Sequence, residues 1–200
     1  MTRQIFNEIL KQEDCTPTTW RRIRIKVIHK KGDVEEAGNY MPICTLPALY
    51  KLFSTFLCSR LCPRLDRVQP EDQGGFRRSF QTLDHLAGLK IAEQKCQEWG
   101  VKMWISTVDF MKAFDSISHR SLWDALGHCE IEPQYVGLLK RLYERQKRSV
   151  LTDKESDVFE TEKGTKQGDP LSRSLLNTVL RVALKDDLAK WPRKGAGIRI

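Results

Sequence analysis

Apolar residues recur at the three- and four-residue spacing of an amphipathic helix in six stretches of the chain. The predicted helices cover residues 3–13, 47–62, 82–99, 118–129 and 133–145, and a last one from Pro170 onward. Local signals predict some of their ends. Thr82 is a suitable N-terminal cap, and Gly100 is placed to stop the third helix. Pro63 is expected to end the second helix, because proline lacks a backbone N–H.

Apolar and polar residues alternate strictly over residues 22–29, the stretch RIRIKVIH. This alternation predicts a half-buried strand, because successive side chains of a strand point to opposite faces. The cations on its polar face are Arg22, Arg24 and Lys26. Residues 101–110 are rich in β-branched and aromatic residues and predict another strand, and SVLTDKESDVFET predicts a hairpin with a polar turn.

Strands separated by helices indicate an α+β fold, and their positions favour a sheet in the second half of the chain. No repeat, low-complexity tract or linker divides the 200 residues. The last four residues, GIRI, resemble the start of a further strand, so we expect an incomplete domain.

Composition argues against several classes of protein. Charged residues make up 30% and hydrophobic residues 40% of the chain, and no apolar run approaches the length of a membrane-spanning helix. The N-terminus lacks the basic and then apolar layout of a secretory signal, so we expect an intracellular protein, in the nucleus or the cytoplasm. Six cysteines show no CxxC spacing, which favours reduced buried thiols over a zinc site.

Cations cluster at two places in a chain whose formal net charge is +8. Residues 20–31 hold six Lys and Arg and no acid, and residues 140–148 hold five with Tyr143 among them. Such clusters suit phosphate backbones, and an interleaved aromatic ring can stack on a base. Taken alone, each cluster is more simply explained as the solvated face of a strand or helix.

The stretch STVDFMKAFDSIS, residues 106–118, contains two aspartates. Asp109 is predicted at a strand end and Asp115 beside the next helix. Carboxylates held in this way suit Mg²⁺, and aspartates hold the two ions of nucleotidyl transfer enzymes. The residues alone leave open whether the pair is an active site or a structural turn. They also leave open whether GTKQGDPLS (164–172) contacts a sugar and negative charge or forms a simple capped loop.

Five segments follow one another along the chain: IHKKGD, NYMPICTLPALYKLFSTFLCSRL, QGGFRRSFQTLDHL, VDFMKAFDSISHRSLWDAL and KGTKQGDPLS. In this order they resemble the reverse transcriptases of non-LTR (LINE-like) retrotransposons, over nearly the whole chain. The resemblance implies an RNA-directed DNA polymerase with a right-hand fold. Residues 1–100 would form the fingers and residues 101–200 most of the palm, without the thumb. It also implies an RNA template, a DNA primer, dNTPs and two Mg²⁺ ions.

The resemblance assigns roles within DFMKAFD. Asp109 matches a catalytic, metal-binding aspartate, and the Phe110 carbonyl is expected as a further metal ligand. Phe114 matches the bulky side chain that rejects the 2′-hydroxyl of a ribonucleotide by steric clash. Asp115 is then a supporting residue and not a metal ligand.

The resemblance also assigns residues that contact substrates. Gln167 and Gly168 match the loop that touches the ribose and base of the incoming nucleotide. Lys30 or Lys31 matches a fingers cation that contacts the triphosphate, and Arg77 lies in the fingers motif near the template. The remaining expected nucleic-acid contacts are Arg22, Arg24 and Lys26.

The chain departs from the family pattern at several positions. Met41 stands where the family has an arginine that clamps the triphosphate, and methionine offers neither charge nor a forked donor. Arg173 and Leu176 replace the usual residues after the Gln-Gly loop and are expected to affect packing more than chemistry. RRSFQT replaces a small, polar loop sequence.

The second catalytic motif of the family, an aromatic-X-Asp-Asp hairpin, is expected beyond Ile200. Asp186 and Asp187 do not substitute for it, because both lie within the last predicted helix. We therefore expect no polymerisation by this chain alone, since one aspartate cannot hold two Mg²⁺ ions. The alternative is a non-catalytic remnant that binds RNA or RNA–DNA duplex through its clustered cations in a salt-dependent manner.

Overall fold

Seven α-helices and one four-stranded sheet make up the described part of the protein. The structure is a computed structural model, and it describes residues 2–11 and 16–193. The helices are α1 (Thr2–Lys11), α2 (Ala48–Arg67), α3 (Thr82–Glu98), α4 (Ala113–Ser116), α5 (His119–His128), α6 (Pro133–Tyr143) and α7 (Ser172–Arg193). The strands are β1 (Arg22–His29), β2 (Tyr40–Thr45), β3 (Lys147–Leu151) and β4 (Phe159–Glu160). All six predicted helices are present. Residues 12 and 13 of the first prediction, and GIRI, lie outside the described residues.

The sheet takes strands from both halves of the chain, in the order β2-β1-β3-β4. β1 pairs antiparallel with β2 and parallel with β3, which places Ile23 opposite Arg148, and β4 pairs antiparallel with β3. The α+β class and the hairpin are confirmed. The alternation of β1 is also confirmed, since Ile23 and Ile25 are buried while Arg22, Arg24 and Lys26 are exposed. The expectation of a sheet within the second half is wrong, because β1 and β2 belong to the first half of the chain. β1 pairs with β3, which follows it in sequence only after several helices.

The predicted strand at residues 101–110 is not formed within the described part of the chain. Its large apolar side chains are exposed, and Trp104 retains 91% of its accessible surface. β-branched and aromatic residues favour a strand only where neighbouring strands and an apolar layer receive them. The prediction is therefore wrong for these residues, and Asp109 does not lie at a strand end.

Pro63 lies inside α2, so the prediction that it ends this helix is wrong. The helix continues for another turn because Leu61 and Leu65, on either side of the proline, are both buried in the core. The apolar packing on this face offsets the hydrogen bond that proline cannot make.

The other helix ends lie within a few residues of the predictions. Gln81 precedes α3 and donates its N–H to the Asp84 carboxylate (2.7 Å), so it occupies the cap position predicted for Thr82. Gly100 follows the same helix with φ of +64°, as its predicted role as a stop requires. Ser118 caps α5 by accepting the N–H of Ser121 (3.0 Å).

One hydrophobic core lies around α2 and extends to the leucines of α5, α6 and α7. Aromatic rings from the N-terminal part close one side of it, with Phe6 5.0 Å from Phe53 and Trp20 5.6 Å from Tyr50 between ring centroids. None of the helices in the described ranges combines the length and apolarity needed to cross a membrane.

We expect Leu61→Ala to lower the free energy of unfolding by about 2–5 kcal/mol, because its fully buried side chain leaves a cavity in the core. Urea unfolding followed by circular dichroism measures this loss. Leu52→Ala on the same helix is the matched control, since Leu52 is largely exposed and its truncation should change stability by about 0.5 kcal/mol or less. Equal losses for the two variants would contradict the described packing of α2.

Candidate functional site

The short helix α4 and the chain that leads into α7 are joined by backbone hydrogen bonds. Thr165 donates its N–H to the Phe114 carbonyl (2.8 Å), and Gly164 donates to the Ile117 carbonyl (2.7 Å). Gly164 has φ of +87°, and a β-carbon at this position would lie 3.2 Å from Cα of Asp115, so the close approach favours glycine. The segments DFMKAFD and GTKQGDPLS, which the sequence singled out separately, are therefore neighbours in space.

A pocket of about 350 Å³ lies where these two segments meet. Phe114, Gln167 and Gly168 line it together, and all three were expected to bind the incoming nucleotide. The Gln167 carbonyl accepts the N–H of Cys44 in β2 (3.1 Å), which connects the loop to the sheet. Gly168 has φ of +99°, a conformation that favours glycine.

The first turn of α7 borders the same pocket, with Ser172 and Arg173 among the lining residues. The N-terminus of a helix carries a partial positive charge and suits anionic groups. Arg173 adds a full charge and lies 5.9 Å from the ring centroid of Phe76, whose ring in turn lies 6.0 Å from that of Phe114. Arg173, which was expected to affect packing more than chemistry, therefore also contributes to the electrostatics of the pocket.

Below the pocket, Asp169 is buried and fully engaged. Its carboxylate accepts hydrogen bonds from the hydroxyls of Tyr50 (2.7 Å) and Ser54 on α2. It also accepts the N–H of Leu171 (3.2 Å), which orients the start of α7. These bonds hold the Gln167–Gly168 loop against α2 from beneath.

Lys166 is the other buried charged residue of this loop. Its Nζ donates to the Leu142 carbonyl at the end of α6 (3.0 Å). The same ammonium lies 4.0 Å from the ring centroid of Tyr50 and 5.1 Å from that of Tyr143, within cation–π distance. Burial lowers the pKa of Lys166 to about 7, although nearby Asp169 favours the charged form.

Sequence reasoning missed this buried pair of charged residues. A lysine and an aspartate beside a Gln-Gly dipeptide are typical of an exposed loop, and no hydrophobic periodicity surrounds them. One signal pointed to Asp169, because aspartate directly before a proline at a helix start is a favoured cap. No local signal pointed to Lys166, since its partners come from α2 and α6.

Asp109 and Phe110 are not brought into the Phe114 pocket. Asp109 is exposed in the stretch without strand partners, and Phe110 lines a separate pocket of about 340 Å³ beside α5 and α7. Within residues 2–11 and 16–193, no three His, Cys, Asp or Glu side chains are grouped so that they could surround a metal ion.

The expected fingers cations lie at or near the turn between β1 and β2. Lys30 and Lys31 are exposed there, and the Lys30 N–H is held by the Asn39 carbonyl (2.9 Å). Met41 lies on β2 opposite Ile28. The cations of β1 are exposed, and Arg24 forms an ion pair with Glu155 (3.6 Å) that contributes little at such exposure.

The surroundings of Arg77 and Asp115 indicate a structural role for each residue. The Arg77 guanidinium donates to the carbonyls of Pro70 (2.9 Å), Gln73 (2.9 Å) and Asp66 (3.4 Å) and so organises the loop after α2. Asp115 is half-buried in α4, and burial raises the pKa of its carboxyl while Arg148 and Lys112 favour the charged form. The template contact of Arg77 and the supporting role of Asp115 stay predictions.

We expect the free energy of unfolding to rise between pH 7 and pH 9, because the unfolded chain keeps the Lys166 proton to about pH 10.5 while the folded protein releases it near pH 7. Lys166→Met should remove roughly 2–3 kcal/mol of this rise. Urea unfolding at the two pH values measures it. Lys163→Met, at an exposed lysine of the same segment, is the control and should keep the rise. The same pH dependence in both variants would refute a buried, weakly basic Lys166.

Comparison with known proteins identifies the family of this chain. The family described as reverse transcriptase (RNA-dependent DNA polymerase) matches residues 28–195. A retrovirus-related Pol polyprotein from the type-1 retrotransposable element R2 of Popillia japonica is 32% identical over 169 residues, 82% of this chain and 23% of that protein. The probable RNA-directed DNA polymerase from transposon X-element of Drosophila melanogaster is 30% identical over 151 residues, 73% of this chain and 16% of that protein.

A more distant relative is the transposon TX1 uncharacterized 149 kDa protein of Xenopus laevis, which is 25% identical over 178 residues, 88% of this chain and 14% of that protein. The chain spans less than a quarter of the length of each of these relatives. Because the family matches most of the chain, this chain belongs to the reverse transcriptases, the RNA-dependent DNA polymerases, and among them to those of non-LTR retrotransposons, as the resemblance predicted.

Proposed function

We propose that this chain is the nucleotide-selecting part of an RNA-directed DNA polymerase, which adds dNTPs to a DNA primer on an RNA template. The observation that carries the proposal is the shared pocket of Phe114, Gln167 and Gly168. These residues come from two segments far apart in sequence, and the polar network beneath them keeps the pocket preformed. A preformed site loses less side-chain and loop entropy when it binds a ligand.

Each lining group has a chemical task in this proposal. The Phe114 ring closes one wall and rejects the additional 2′-hydroxyl of a ribonucleotide by steric clash. The Gln167 amide offers both donors and an acceptor to the sugar and base, and Gly168 lets the backbone approach the ligand closely. The N-terminus of α7 and Arg173 favour the negative charge of the triphosphate.

We further propose that Asp109 contributes a carboxylate, and Phe110 its carbonyl, to the Mg²⁺ site of a longer polymerase. The chemistry that Mg²⁺ supplies when bound is activation of the primer hydroxyl and neutralisation of the leaving pyrophosphate. The other carboxylates are not Asp186 and Asp187, because Asp187 pairs with Lys190 (3.0 Å) on the exposed surface of α7. They are expected from chain outside the described residues.

The proposed right hand assigns residues 1–100 to the fingers and residues 101–200 to the palm. In this arrangement Lys30 and Lys31, in the turn between β1 and β2, contact the triphosphate. Met41 stands where the family has an arginine, so the charge-assisted contact of that arginine with the triphosphate is missing. The sheet crosses the boundary, since β1 pairs with β3. We therefore propose that β3 and β4 move with the fingers although they follow the palm residues in sequence.

A second candidate function is nucleic-acid binding without catalysis. The observation that favours it is the row of exposed cations on β1, together with the absence, among the described residues, of any group of three His, Cys, Asp or Glu side chains that could hold a metal ion. Each phosphate that such cations neutralise releases counterions, so affinity should fall steeply with salt concentration.

We expect dTTP to bind this chain, and Gln167→Ala to weaken that binding roughly two- to tenfold through loss of hydrogen bonds to the nucleotide. Phe114→Ala should raise the affinity for UTP relative to dTTP, because it removes the proposed clash with the 2′-hydroxyl. Photocrosslinking of labelled nucleotides measures both. Gln97→Ala, at an exposed glutamine of α3, is the control. The pocket assignment fails if Gln97→Ala and Gln167→Ala bind dTTP alike.

Primer extension separates the two candidate functions. With RNA template, primer, dNTPs and Mg²⁺, this 200-residue chain should give no product, because Asp109 alone cannot hold two ions. In a chimera completed with the remaining polymerase of a relative, extension should appear, and Asp109→Ala should reduce it to background without changing salt-dependent RNA binding. Asp153→Ala, in the exposed β3–β4 turn, is the control. Extension by the 200-residue chain, or activity of the Asp109→Ala chimera, would contradict the catalytic proposal.

A further inference from the structure

A second cleft, of about 1000 Å³, lies between the N-terminus of α5 and the β3–β4 hairpin. It shares no lining residue with the pocket of Phe114 and Gln167. Tyr143, Gln146 and Arg148 are the buried residues among those that line it. The polymerase chemistry proposed above uses none of these three residues.

Arg148 is a buried cation without an anionic partner in the described structure. Only 5% of its surface is accessible, and no carboxylate of residues 2–11 or 16–193 lies within ion-pair distance of it. Its guanidinium makes one long hydrogen bond, from Nη2 to Oε1 of Gln146 (3.4 Å), while Nε is buried with no acceptor. A guanidinium stays charged at all physiological pH values, so its burial without a partner is costly.

The register of the sheet places a second unsatisfied group on the same face. Lys147 pairs with Glu160 and Arg148 with Phe159, so Thr161 continues β4 on the face that carries Gln146 and Arg148. The hydroxyl of Thr161 is also buried without a hydrogen-bond partner, and Thr161 lines the cleft. A hydroxyl and a guanidinium both donate hydrogen bonds, so their shared ligand should be rich in acceptor oxygens.

The opposite wall of the cleft is the start of α5. Ser118 caps this ten-residue helix, and His119 and Arg120 of its first turn line the cleft. The positive end of the helix dipole therefore attracts anions into the cleft, as the charge of Arg148 does. This adds a second reason for an anion to bind between the helix and the sheet.

Charged residues at the rim of the cleft balance one another. The exposed cations there are Arg120, Arg145 and Lys163, and the exposed acids are Glu144, Glu160 and Glu162. The fourth carboxylate of the cleft is that of the half-buried Asp115, whose pKa is raised by burial while Arg148 and Lys112 favour its charged form. Asp115 forms no ion pair with Arg148 in the described structure, so the guanidinium keeps hydrogen-bond donors for a further anion.

We propose that this cleft binds a phosphate group through the Arg148 guanidinium, the Thr161 hydroxyl and the N-terminal end of α5. Phosphate offers several acceptor oxygens at one centre, and a guanidinium matches its geometry with two parallel donors. The phosphate can belong to a nucleic-acid backbone or to a free phosphate compound. The inference does not rest on the polymerase function, because neither Arg148, nor Thr161, nor the first turn of α5 takes part in the proposed nucleotide or metal binding.

Thermal unfolding in inorganic phosphate, compared with chloride at equal ionic strength, tests the site. The Tm of the unaltered chain should be roughly 2–4 °C higher in phosphate, once phosphate exceeds its dissociation constant several-fold. Arg148→Met should lose this difference, while Arg67→Met, at an exposed arginine at the end of α2 and outside the cleft, should keep it. Because phosphate also stabilises proteins by exclusion from their surface, only the part lost in Arg148→Met counts. An equal response of Arg148→Met and the unaltered chain overturns the proposal.

Arg148→Lys keeps the test decisive if Arg148→Met fails to fold. Lysine retains the charge but not the forked donor, so the phosphate response should shrink without vanishing, and an unchanged response overturns the proposal. A labelled single-stranded RNA then identifies the source of the phosphate by fluorescence anisotropy. About tenfold weaker RNA binding by the Arg148 variant, the effect of one charge-assisted contact, assigns the phosphate to a nucleic-acid backbone. Unchanged RNA binding with a lost phosphate response assigns it to a free phosphate compound.

Discussion

The burial of Lys166 and Asp169 on either side of the Gln167–Gly168 loop is the constraint on which the candidate site depends. Neither side chain can leave the interior without losing its hydrogen bonds, to the Leu142 carbonyl and to the Tyr50 hydroxyl respectively. Each partner belongs to a helix of the main core. The position of the loop is therefore set by packing in the centre of the protein, while its middle two residues remain free to meet a ligand.

This arrangement separates the two halves of the proposed chemistry. The proposed nucleotide pocket is completed by residues that the core holds in place, and Phe114 is positioned beside it by the backbone hydrogen bonds between α4 and Thr165. Asp109 precedes α4 by only a few residues but belongs to a stretch that no neighbouring strand receives within the described residues. The proposed nucleotide contacts are therefore held by the core, whereas the proposed metal ligand Asp109 has no such support among the described residues.

Asp115 and the segment around Gly164 lie at the junction of two different surfaces. One side of this segment meets the pocket of Phe114, and the other carries the residues that line the cleft of Arg148. The cation cluster of residues 140–148 divides in the same way, since β3 exposes Lys147 and buries Arg148. A single cluster of cations in the sequence therefore contains both a solvated cation and a buried one.

Six of the seven helices, the alternation of β1 and the family were predictable from the sequence, because hydrophobic periodicity and ordered motifs depend on residues that are close together in the chain. Three features became evident only in the structure: the continuation of α2 through Pro63, the pairing of β1 with β3, and the lack of a strand partner for residues 101–110 within the described ranges. The structure also shows that Lys166 and Arg148 are buried. A local pattern indicates which face of an element is apolar. Strand pairing, burial of a charge and tolerance of a proline depend instead on what packs against the element from elsewhere in the chain.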